Sequence, residues 1–137
     1  MMNAVALLWL AEARFLAGDR DEAHALARRS LVRARELGER GHEAWGLRML
    51  GEILAGDTTS SGAGYAVQLY REASALAKER GMRPLAAHCH LGLGRLYART
   101  GETEKARAAL RTAIDLYRVM DMTYWLDRAN AALPDAR

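Results

Sequence analysis

"HLGLGRLYARTGETEKARAAL", residues 90–110, decides the fold of this chain. It holds no catalytic signature. Its information lies in the spacing of its small residues: Leu93-Gly94-x-x-Tyr97, then Gly101, then Ala106-x-x-x-Leu110. Two upstream segments copy the pattern. One reads Leu47-x-x-Leu50-Gly51-x-x-Leu54 and then Ala66-x-x-x-Tyr70-x-x-Ala73; the other reads Leu7-x-x-Leu10-Ala11-x-x-Arg14, then Gly18, then Ala23-x-x-x-Ala27-x-x-Ser30. Gly51 follows Ala11 by 40 residues and Gly94 follows Gly51 by 43. The three extra residues fall in "GDTTSSGAG", residues 56–64, which is rich in turn-forming residues and reads as a flexible connector between two helices.

Helix packing explains the spacing. A small residue on each of two helices permits close approach, and leucines or aromatics three and four positions away fill the grooves around that contact. Gly101 supplies a left-handed helix end. Asp19 or Asp21, and Thr103 or Glu102, are placed to open the helices that follow. The composition agrees: good helix formers dominate, only 2 prolines occur, and strand formers are scattered. The expected layout is all-α, with seven helices near 3–17, 20–38, 42–55, 63–80, 84–99, 102–119 and 122–132. A hairpin of this kind cannot bury its apolar face alone, so hairpins stack.

The pattern resembles the tetratricopeptide repeat, W-x-x-L-G-x-x-Y followed by A-x-x-x-F. His90 stands in the tryptophan position of the third repeat and Leu110 in the phenylalanine position, while Ala11 and Arg14 depart from the pattern in the first. The resemblance implies a right-handed α-solenoid in one domain, with repeats over about 3–41, 42–83 and 84–121 and a cap helix over 122–133. A period of 40 against the usual 34 implies second helices about six residues longer than in the commonest form. Residues 88–126, "HCHLGLGRLYARTGETEKARAALRTAIDLYRVMDMTYWL", are also similar to the C-terminal repeat regions of bacterial cyclase and regulatory-ATPase signalling proteins. That resemblance implies a fragment or stand-alone relative and transfers no activity.

By the same resemblance the first helices line a concave groove for a peptide or a partner helix. Register places Val5, Leu8, Glu12 and Phe15 there from the first repeat, Trp45, Arg48, Glu52 and Ala55 from the second, and His88, Leu91, Arg95, Ala98 and Arg99 from the third. The lysine-and-asparagine carboxylate clamp of chaperone-tail binders is absent: its positions hold Leu8, Arg48 and Leu91, with Glu12, Glu52 and Arg95. Arg48, Arg95 and Arg99 are placed either to hold an acidic segment by charge-assisted hydrogen bonds or to pair with neighbouring glutamates. The first helix is apolar on more than one face, and Val5, Leu8 and Trp9 form a candidate self-association face, a truncation surface or a seat for another domain.

Other chemistries find no support in the residues. The net charge of +3 is spread over both signs, and the basic run "RRSLVRAREL" (28–37) reads as a solvated helix face without aromatics for base stacking, so no nucleic-acid partner is expected. One cysteine, Cys89, excludes an internal disulfide and suits a cytoplasmic chain. The N-terminus lacks a basic leader region, and no apolar run is long enough for a membrane span. Consecutive helical residues point about 100° apart, so "HCH" (88–90) does not converge on a metal. Residues 56–64 lack the lysine of a phosphate loop. Met120, Met122, Tyr124 and Trp125 read as core packing around the cap, with an adaptable partner surface as the alternative. The expectation is a protein- or peptide-binding module with no catalytic residue, cofactor or metal.

Overall fold

A computed structural model describes residues 2–57 and 60–135. Its elements are α1 (Ala4–Leu16), α2 (Arg20–Leu37), α3 (Arg40–Ala55), α4 (Ser60–Glu79), α5 (Arg83–Arg99), α6 (Thr103–Val119) and α7 (Thr123–Ala132), with no strand among the described residues. Consecutive helices pack against each other, which makes three hairpins (α1–α2, α3–α4, α5–α6) and a single last helix. The backbone of α1 also approaches α3, that of α3 approaches α5 and that of α5 approaches α7, whereas the backbones of α2 and α4, like those of α4 and α6, stand further apart. The stack therefore curves with its first helices on the inner side. A cleft of about 280 Å³ opens between α2 and α4, floored by Leu47 and Leu50 of α3.

The repeated small residues stand where helices meet. A Cβ at Gly51 would lie 3.2 Å from the Tyr70 ring, and one at Gly94 would lie 2.5 Å from Leu110 Cδ2. Residues 11, 51 and 94 thus share one environment, each on a first helix against its own second helix. In the first hairpin Ala11 is tolerated because the residue in register with Tyr70 and Leu110 is Ala27, and both alanines are fully buried.

Helix ends follow local rules. Asn3 Oδ1 accepts from Ala6 N at 2.8 Å and Asp19 Oδ1 from Glu22 N at 3.2 Å, so both cap as N-terminal residues. Glu102 occupies the N-cap position of α6 without a side-chain cap bond. Gly18, Gly38, Gly81 and Gly101 have φ of 88°, 69°, 70° and 85°, and each is followed by a residue whose N–H reaches back to the carbonyl five positions earlier.

One expectation needs correction. The segment 56–64 is mostly helical: α4 begins at Ser60 and is the longest element, at 20 residues. Thr58 and Thr59 of the expected connector lie outside the described residues. The physical reason is visible at Gly62, where a Cβ would lie 2.7 Å from the Asp57 carboxylate. A bare glycine there lets the carboxylate pack on the first turn, where the free N–H groups and the helix dipole favour it. The second helices α2, α4 and α6 run 18, 20 and 17 residues, and the first helices α1, α3 and α5 run 13, 16 and 17.

Buried residues form one cluster across α1 to α6 and a second that joins α5 and α6 to α7. In the second, Leu91, Leu110, Ile114 and Tyr117 meet Ala129, and Met120, Met122 and Trp125 pack against them, while Tyr124 remains exposed with Arg128 3.6 Å above its ring. α7 thus covers the face that the third hairpin would otherwise leave open.

Candidate functional site

The inner face is built by one helical register. Val5, Leu8, Trp9 and Glu12 of α1 meet His42, Trp45, Arg48 and Met49 of α3 around a cleft of about 410 Å³. Glu52 and Ala55 of α3 meet Gly92, Arg95 and Arg99 of α5 around a second cleft of about 180 Å³. Phe15 is half-buried against the main core and Ala98 is exposed.

Arg48 is the irregular member of this face. Leu8 and Leu91 hold the same register, and both are buried, 9% and 3% exposed. Leu91 packs beneath α7, so its placement in an open groove is corrected: a first helix turns that position toward the next first helix. In the middle repeat an arginine takes the leucine's place. It is half-buried over the Trp45 ring, 3.5 Å from Glu52 Oε1, and its Nε is buried without a hydrogen bond among the described residues. Arg99 is engaged otherwise than the sequence suggests, because it donates to the Ala55 carbonyl. Together with Arg20, which donates to Ile53 O at 2.8 Å, it ties down the C-terminal carbonyls of α3. Arg95 is exposed and has no hydrogen bond or ion pair among the described residues. Of the candidate self-association residues, Trp9 is 67% exposed, Val5 is half-buried and Leu8 belongs to the core.

His88, Cys89 and His90 diverge. His88 Nδ1 and the Tyr117 hydroxyl are hydrogen-bonded at 2.6 Å, and its ring meets Trp125 edge-on at 4.8 Å. Burial, with Arg48 nearby, lowers its pKa to about 4. Cys89 is fully buried, and burial pushes its thiol up to about 12, away from nucleophilic use. His90 turns to the Ser74 hydroxyl, 3.2 Å away on α4, and burial lowers its pKa. Among the described residues no group of three histidines, cysteines or acids is placed to hold a metal.

The approach of Gly92 to Tyr70 escaped sequence reasoning. A Cβ at Gly92 would lie 2.5 Å from Tyr70 Cε1, so the α4 tyrosine passes beneath α5 toward the inner face. Burial, reinforced by Glu52, raises its hydroxyl pKa above the ordinary tyrosine range. The signal was the second glycine of "LGLG", two residues before the one the repeat explains.

The tetratricopeptide repeat family model matches residues 4–29 and 87–112, which are parts of the first and third hairpins. The unmatched hairpin is the one with the lengthened α4. No curated protein matches the chain. No helix among the described residues is long and apolar enough to cross a membrane. Two family matches on an all-helical stack of hairpins support a tetratricopeptide-repeat protein.

Proposed function

We propose that this chain is a non-enzymatic binding module whose inner face takes an extended segment or a helix of a partner protein. Tetratricopeptide repeats generally mediate protein–protein contact. The observation that carries the reading is the inner cleft of about 410 Å³, where Trp45 and Val5 provide apolar walls and Glu12 and Arg48 provide charge of both signs. Arg95 adds an uncommitted cation beside the second cleft. An apolar trough with a few orienting polar groups is the usual make-up of a recognition site.

The test compares proteins retained from native lysate by the wild type and by a Trp45→Ala, Arg95→Glu variant, with circular dichroism showing that both are folded. A partner retained by the wild type and lost by the variant is expected. Retention of the same proteins at the same strength by both would remove the inner face from the function.

A further inference from the structure

The first hairpin leaves open a face that the other two cover. Gly46 of α3 lies against Leu31 of α2, at 3.6 Å from a built Cβ, and Gly92 of α5 lies against Tyr70 of α4. Register carries Gly46 to Ala6 and Cys89, Met49 to Trp9 and Gly92, and Ile53 to Ala13 and Leu96. The members on α3 and α5 are all buried. On α1, Ala6 is half-buried, Ala13 is exposed and Trp9 is 67% exposed. In both interior cases a helix fills this place, so the open stripe has the shape of a helix seat.

At one position the charge is reversed from that of the interior copy: Arg29 stands where the next repeat has Glu72, whereas Arg28 corresponds to Arg71. A cleft of about 650 Å³ runs along this edge, lined by Leu7, Ala25, Arg28, Arg29 and Arg33 among others. Its counterpart one repeat on is the cleft between α2 and α4, where Leu47 stands for Leu7, Gln68 for Ala25 and Glu72 for Arg29. In that interior cleft α4 carries Glu72, and α2, which forms the opposite wall, brings Arg28 and Arg35. On the open edge the wall carries three arginines, Arg28, Arg29 and Arg33, against one carboxylate, Glu36. Arg28 and Arg29 have no hydrogen bond or ion pair among the described residues, and Arg33 reaches only Glu36 at 3.5 Å with its Nε buried and unbonded. Opposite charge belongs on whatever docks here.

We infer that the edge formed by α1 and α2 docks an amphipathic helix of a partner protein, with an apolar stripe flanked by carboxylates. A second copy meeting edge to edge would set Arg28, Arg29 and Arg33 against their own images. The site shares Trp9 with the inner cleft, but Arg28, Arg29 and Arg33 lie outside that cleft, so the charge preference does not rest on the inner-cleft reading.

The test uses a synthetic helix of about 20 residues with leucines at i, i+3, i+4 and i+7 and glutamates on both flanks, beside the same peptide with lysines in place of the glutamates. The glutamate peptide is expected to bind at least about tenfold more tightly, to shift Trp9 emission and to weaken with salt. An Arg28→Glu, Arg29→Glu variant, shown to be folded by circular dichroism, reverses the preference; both positions are exposed, so folding is preserved. Four results would overturn the inference: equal affinity for the two peptides, binding of neither, sedimentation as a dimer that Trp9→Ala dissociates, or a longer native chain that refuses the peptide because its own preceding residues cover the edge.

Discussion

Ala11 with Ala27 and Gly94 with Leu110 solve one steric problem in two ways. The first pair shares the space between helices equally, and the second gives it all to the leucine. Gly94→Ala alone drives a Cβ into Leu110 and is expected to cost about 1–3 kcal/mol. Leu110→Ala alone empties a fully buried site and costs about 2–5 kcal/mol. The double variant recreates the first hairpin's pair, so its loss falls short of the sum by about 0.5–3 kcal/mol. Urea unfolding of the four proteins reads this directly, and strict additivity would show that the two positions do not compete for the same space. His88 offers a second test at this scale. Its pKa of about 4 lies below that of the unfolded chain, so the unfolded state binds more protons between pH 6.5 and 4. The stability contributed by its neutral ring is complete above pH 6.5 and is lost as the pH falls toward 4. Melting temperature is expected to drop across that window more in the wild type than in His88→Gln. The lowered pKa of His90 works in the same direction, so the variant retains part of the slope.

Five of the seven described helices end in the same left-handed turn, and one of those five lacks its glycine. Asp121 has φ 56° after α6, its N–H reaches Arg118 O at 3.1 Å, and Met122 N reaches Tyr117 O at 2.9 Å. Gly38 and Gly81 make the same two bonds after α2 and α4. A side chain in the left-handed region costs roughly 1–2 kcal/mol, and glycine's extra freedom in the unfolded chain cancels part of that. Asp121→Gly should therefore stabilise the chain by about 0.5–1 kcal/mol, while Gly81→Ala destabilises it; an unchanged urea midpoint for both would place the strain elsewhere. The α2–α3 junction also depends on Glu43, a buried carboxylate held by Arg35 at 3.0 Å and Arg40 at 3.1 Å. Glu43→Ala leaves two half-exposed arginines that can turn to water, so the expected loss is moderate, about 1–2 kcal/mol by thermal melts.

At the scale of the whole molecule, what could be read in the sequence was whatever lies within one hairpin. The seven helices, the glycine at 101 and the Gly51 and Gly94 approaches follow from residues close in the chain. Features set between hairpins stayed hidden. Leu91 reads as a groove residue until α7 covers it, Gly92 needs Tyr70 from the preceding hairpin, and Arg99 needs the end of α3. The same division predicts how the stack comes apart. Stability in such a chain is a sum of hairpin terms and neighbour terms, so removal of α7 acts on its neighbour first. Ending the chain at Asp121 uncovers Leu91, Ile114 and Tyr117 and takes Trp125 from His88. Hydrogen exchange should then show α5 and α6 losing most of their protection, with α1 and α2 changed far less, because those two belong to the other buried cluster. Equal loss along the whole chain would mean that the two clusters open as one cooperative unit, and the neighbour-by-neighbour account of this stack would have to be given up.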